Sequence, residues 1–83
     1  MVDISYRIFD LVVSTNSLTK TAEIVHLTPS AVSHSLRKLE ERLGLQLVIR
    51  GRDGLRLTQY GKELIPHVRY ALKAEERLQQ EIV

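Results

Sequence analysis

Apolar residues at Ile4, Ile8, Phe9, Leu11, Val12 and Val13 recur at helical spacing, and the pattern predicts a first helix over residues 3–15. Asn16 and Ser17 interrupt it. Ser17 or Thr19 supplies the oxygen that caps a short second helix, whose buried face is Ala22 and Val25 with Leu18 beside them. After His26 and Leu27 the start signal is sharper. Thr28 is a preferred N-cap, and Pro29 suits the first helical position, where its missing N–H leaves nothing unpaired. The third helix, residues 29–43, carries the stripe Val32, Leu36, Leu39 and Leu43, and Gly44 can take the left-handed conformation that closes helices.

The period then changes. Residues 45–50 are β-prone and partly alternating, and residues 55–57 alternate again beyond the turn Gly51-Arg52-Asp53-Gly54, which predicts a hairpin with a cationic tip. Thr58 offers another N-cap, and residues 59–83 read as one long helix with Leu64, Val68, Ala71, Leu72, Leu78 and Ile82 on one side. Pro66 lies inside it and should bend it unless packing accommodates the ring. The predicted fold is mainly α: a winged helix-turn-helix of three helices and a two-stranded wing over residues 1–58, followed by a long linker helix over 59–83 within the same compact unit. Ala22 lets the second and third helices cross closely, Leu27 plugs the turn between them, and Val32 and Leu36 anchor the third helix to Phe9 and Val12. That leaves Pro29, Ser30, Ser33, His34 and Arg37 outside, where small polar side chains permit approach to base edges in a major groove.

A chain of 83 residues makes one domain, and 43% hydrophobic with 27% charged residues is ordinary globular composition. No apolar run approaches the roughly 18 residues needed to span a bilayer and no secretory signal is evident, so a cytoplasmic protein with no membrane partner is expected. Without cysteine there is no disulfide or thiolate chemistry. The net charge of +2 is unevenly spread: two basic residues face three acidic ones up to Leu36, six face three from Arg37 to Arg56, and four face four thereafter. The surplus gathers on Arg37, Lys38, Arg42, Arg50, Arg52 and Arg56, a footprint that suits phosphate, although counts alone fit a solvated surface equally.

The runs Ser17-Leu18-Thr19-Lys20-Thr21-Ala22-Glu23, Leu27-Thr28-Pro29-Ser30-Ala31-Val32-Ser33 and Leu39-Glu40-Glu41-Arg42-Leu43-Gly44, with Leu47, Arg50, Leu57-Thr58 and Gly61, resemble the amino-terminal DNA-binding domain of LysR-type bacterial transcription regulators. The resemblance covers nearly the whole chain. It implies a linker helix that pairs with its twin in a homodimer, promoter or operator DNA as partner, and a larger carboxy-terminal domain, absent from this chain, that binds a small-molecule effector; no cofactor is implied for this part. Leu18, Thr21 and Val48 depart from the family's usual residues as tolerable core variants. Thr28-Pro29-Ser30 stands where the family commonly has Ser-Gln-Pro, so a glutamine suited to adenine is missing, and base discrimination falls on Ser30, Ser33, His34 and Arg37.

The candidate DNA-binding residues are Lys20, Thr28, Pro29, Ser30, Ser33, His34, Arg37, Lys38, Arg50 and Arg52, with the recognition helix at about 29–43 in the major groove and the wing at 50–54 on the backbone or minor groove. Arg37 follows Ser33 by one turn; Lys38 and Arg42 are equally well explained as surface charges paired with Glu40 and Glu41. Leu64, Val68, Ala71, Leu72, Leu78 and Ile82 are the candidate dimerisation residues, joined by Ile4, Ile8 and Leu11, although the same stripe fits either core or coiled-coil seam. A catalytic reading of Ser33, His34 and Asp53 fails because adjacent helix residues point about 100° apart and no oxyanion loop is evident. His26, His34 and His67 lack the spacing of metal ligands. His26 is expected to end the second helix, and His67 to face solvent. The sequence thus predicts a DNA-binding regulator domain and not an enzyme; a docking module built on the same scaffold is the rival.

Overall fold

The computed structural model describes residues 1–82; Val83 and the side chain of Ile82 lie outside it. Its elements in chain order are α1 (Ile4–Thr15), α2 (Leu18–Val25), α3 (Pro29–Leu43), β1 (Val48–Gly51), β2 (Gly54–Leu57) and α4 (Gln59–Ile82). The caps are the expected ones. Ser17 Oγ accepts the Lys20 N–H at 3.0 Å and Thr28 Oγ1 accepts the Ala31 N–H at 3.1 Å, so each helix start satisfies one of its orphan donors. His26 ends α2 at φ 59° and Gly44 ends α3 at φ 68°, both left-handed.

Ile8, Phe9 and Val12 of α1, Ala22 of α2, and Val32, Leu36 and Leu39 of α3 form the core, with Leu47, Val48, Ile65 and Val68 closing it. α1 therefore packs at the centre, touching both helices of the helix-turn-helix, the wing and α4. Two expectations change here. Leu27 does not plug the turn: its side chain is 43% exposed, and the turn is tied instead by its N–H, donated to the Ala22 carbonyl at 2.9 Å. Ile8 is fully buried in the core, which removes it from any interface with a second chain, whereas Ile4 is largely exposed.

The hairpin begins later than its β-prone sequence suggests. Gly44 and Leu45 donate back to Glu40 and Glu41 carbonyls to close α3, so pairing starts only at Val48. Antiparallel register sets Val48 against Leu57, Ile49 against Arg56, Arg50 against Leu55 and Gly51 against Gly54. Alternation puts Val48, Leu55 and Leu57 toward the body, and Ile49 with Arg56 on the outer face.

α4 is fixed at its start. Thr58 Oγ1 accepts the Gly61 N–H at 3.1 Å and donates to the Gln46 carbonyl at 2.6 Å, and the Thr58 N–H reaches the Leu47 carbonyl at 2.9 Å. The helix runs on through Pro66, which is exposed, so the Lys62 carbonyl it leaves unpaired sits on the wet side. Ile65, not on the predicted stripe, is buried, and Val68 is buried with it, so Val68 belongs to the intramolecular core rather than to an interface; Leu64 and Leu72 also pack against that core.

One long-range pair closes α1 on α3. Asp3 caps α1 through the Ser5 N–H and also receives Arg42 Nη1 at 2.6 Å, while Arg42 Nη2 donates to Ser5 Oγ at 2.9 Å. The Arg42 guanidinium, together with the Ser5 N–H, holds the Asp3 carboxyl below its ordinary value of 3.8. A lowered acid adds stability above its unfolded pKa and loses it as pH falls through its folded pKa. Asp3→Asn keeps a capping oxygen but loses the charge. The variant should be slightly less stable at neutral pH, since side-chain exposures of 52% and 43% leave the pair to solvent screening, and the gap should close below 3.8. Thermal melts at neutral and acid pH check this; a gap that stays constant across that range contradicts it.

Candidate nucleic-acid interface

With Val32, Leu36 and Leu39 fully buried on one side of α3, a rotation of about 100° per residue puts Ser30, His34, Arg37 and Glu41 on the opposite side, and all four are exposed. Thr28 and Pro29 are exposed at its tip. Ser33 is half-buried on one flank. The predicted residues split between two clefts. His34 and Lys38 share one with Asp3 and Ser5 at the start of α1 and with Glu41 and Arg42. Arg37 lines the other with Gly44, Leu45, Ile49 and Arg50, so this cleft runs from the outer face of α3 to the wing. Lys20 stands apart from both, exposed in the first turn of α2.

Ion pairing engages few of the cations. Among the described residues the ion pairs are Arg42 with Asp3 and Arg69 with Asp10, at 2.6 and 2.8 Å. Arg37, Lys38, Arg50 and Arg52 belong to neither pair, and neither do Arg7, Lys20, Arg56, Lys62, Lys73 and Arg77; what sets the first four apart is their place on α3 and the wing, where Glu41 also lines the clefts beside Arg37 and Lys38. Glu40 does not pair with Lys38 or Arg42, the alternative that the sequence left open. Its Oε2 turns to the backbone and accepts the Leu47 and Val48 N–H groups at 2.7 and 3.3 Å, pinning the base of the wing to α3. Arg56, part of the cationic stretch but not among the candidate contacts above, is exposed on the outer face of β2, as the alternation Leu55-Arg56-Leu57 implies. Asp53 sits in the wing turn on a different element from Ser33 and His34, and no group of three metal-ligating side chains comes together among the described residues.

The sequence matches the family described as bacterial regulatory helix-turn-helix protein, lysR family, over residues 5–62. The chain belongs to that family. It is a LysR-type helix-turn-helix DNA-binding domain, and α3 is the second helix of its motif. It is 37% identical over 75 residues to the uncharacterized HTH-type transcriptional regulator YvbU of Bacillus subtilis, covering 89% of this chain and 26% of YvbU. It is 35% identical over 68 residues to the HTH-type transcriptional regulator HdfR of Salmonella newport, covering 82% of this chain and 24% of HdfR. The chain thus spans about a quarter of the length of these LysR-type relatives. Among solved structures it is similar to the BenM DNA-binding domain in complex with catB site 1 DNA, with a TM-score of 0.91 and 27% identity over 99% of this chain and 92% of that one. Among the described residues no helix is long and apolar enough to cross a membrane.

Proposed function

We propose that this chain reads double-stranded operator DNA in a sequence-specific way as the amino-terminal unit of a dimeric, cytoplasmic transcription regulator, and that it has no catalytic role. The carrying observation is the bare outer side of α3: Ser30, His34 and Arg37 are exposed beside unpaired wing arginines. The BenM domain that shares this fold is in complex with DNA. In this reading α3 lies in the major groove, Ser30, Ser33, His34 and Arg37 discriminate bases, and Lys20, Lys38, Arg50, Arg52 and Arg56 meet phosphate or the minor groove. Residues 1–58 form the reading body, and α4 extends from it as the dimer element. Supporting the dimer, Leu78 is 52% exposed beyond the last core contact at Leu72, and a twin helix is the natural cover for it. In this reading Leu64, Ala71 and Leu72 border the same seam; the Ile82 side chain, also expected there, lies outside the described residues. An effector would bind a domain outside this chain.

The test separates the two kinds of contact on duplexes selected from a random pool. Arg50→Ala should weaken binding to selected and random duplexes alike and lower the salt slope by about 1, the worth of one phosphate contact. Ser30→Ala or His34→Ala should leave the slope unchanged and alter preference by about 1–3 kcal/mol at one position. Equal losses on all duplexes from all three variants would contradict the division. Binding that ignores salt would favour the docking module instead.

A further inference from the structure

Asn16 ends α1 with a left-handed backbone at φ 53° and ψ 33°, and its N–H donates to the Val12 carbonyl at 2.9 Å. Asparagine tolerates that conformation better than most side chains. The cap itself needs only the backbone, which leaves the amide free to act elsewhere. Its Oδ1 accepts the Leu55 N–H at 3.1 Å, from β2 of the wing. Leu55 pairs with Arg50, and in a two-stranded sheet alternate N–H groups face outward with no strand to receive them. Asn16 receives this one. Gly54 fits the same contact: its φ of 102° favours glycine, and a Cβ there would stand 3.2 Å from Asn16 Nδ2.

Two side chains from the helical body therefore grip the wing. Glu40 holds its base through the Leu47 and Val48 N–H groups, and Asn16 holds the end nearer the tip, opposite Arg50. We infer that Asn16 is a positioning residue for DNA binding: its amide fixes the wing tip against the corner between α1 and α2, so that Arg50 and Arg52 stand at a set distance from the outer face of α3. The inference rests on the DNA-binding reading above, and Asn16 itself need touch no DNA.

Asn16→Gly keeps the left-handed backbone and removes the acceptor. It should speed Leu55 amide exchange, measured by NMR on the free chain, and weaken binding to every duplex by about three- to tenfold without changing preference among sequences. Asn16→Asp, which retains an acceptor oxygen, should restore Leu55 protection. In an Arg50→Ala/Arg52→Ala background, Asn16→Gly should cost no further affinity, because nothing remains for it to position. A full additional loss in that background makes Asn16 merely structural and overturns the inference, as does unchanged Leu55 exchange or unchanged affinity. Absence of salt-dependent binding by the parent chain overturns the DNA-binding reading, and this inference with it, even where Leu55 exchange responds.

Discussion

Gly61→Ala is expected to destabilise the chain by about 2–3 kcal/mol, against the ordinary preference of helices for alanine. Gly61 lies in the first turn of α4, where replacing glycine should gain about 1 kcal/mol from propensity alone. Its surroundings reverse the sign. A Cβ built there overlaps the Leu47 carbonyl oxygen and stands 2.9 Å from Leu57 Cδ2. The carbonyl cannot simply give way, because Leu47 is fully buried and its oxygen already receives the Thr58 N–H at 2.9 Å. Relief requires α4 to lift off the segment that leads into the wing, and overpacking of this kind typically costs 1–3 kcal/mol before the strained hydrogen bond is counted. For a chain of 83 residues, whose whole stability is on the order of 4–12 kcal/mol, that is a large fraction. Urea unfolding followed by circular dichroism measures it. Gly51→Ala is the control: nothing lies within 4 Å of a Cβ there and no positive φ opposes one, so its midpoint should stay near that of the parent. Equal midpoints for all three proteins would show that the close approach at Gly61 is not real.

That glycine illustrates where sequence reading succeeds and where it stops. The helices of the reading body were legible because their signals are local: Ser17 and Thr28 cap the residues three positions on, Gly44 closes α3, and Val32, Leu36 and Leu39 repeat at the helical period. The outer residues of α3 followed from the same geometry, since the buried stripe dictates what remains outside. Local pattern was silent on long-range pairing. Gly61 was visible as part of a family resemblance, but the carbonyl it accommodates lies fourteen residues earlier in the chain. Asn16 read as an interruption because its partner is Leu55. The stripe on α4 gave the subtler ambiguity. Val68 and Leu78 share one periodicity, yet the first is 3% exposed and the second 52%. A period of 3.6 says that a face is covered, never by what, and only the reach of α1 decides where self-cover ends.

Glu40→Ala should lower stability by about 2–4 kcal/mol and loosen the wing at the same time. Glu40 lies on α3, exposed enough by sequence pattern to be read as a surface charge, yet its carboxylate is the acceptor for two consecutive N–H groups of the buried residues Leu47 and Val48. Hydrogen bonds to an ionised acceptor contribute about 1.5–3 kcal/mol, and an N–H left unmet in a buried segment costs about 1–3 kcal/mol. Alanine removes the acceptor without offering another. Its slight advantage in helix propensity, a few tenths of a kcal/mol at most, cannot compensate. Glu40→Gln provides the graded comparison, because its amide oxygen can still accept while the charge is gone, so its loss should be about half as large. Urea unfolding gives the stability, and amide exchange at Leu47 and Val48 locates it: both should exchange faster in the alanine variant, while the Ala31 amide, capped by Thr28 at the other end of α3, keeps its protection. Arg50 and Arg52 lie beyond this anchor, so if they meet DNA as proposed above, affinity should fall at a temperature where both proteins are fully folded. Uniform acceleration of exchange through α3 and the wing would instead make Glu40 an ordinary contributor to global stability, and the wing would owe its placement to its other ties, the packing of Val48 and the Asn16 contact to Leu55.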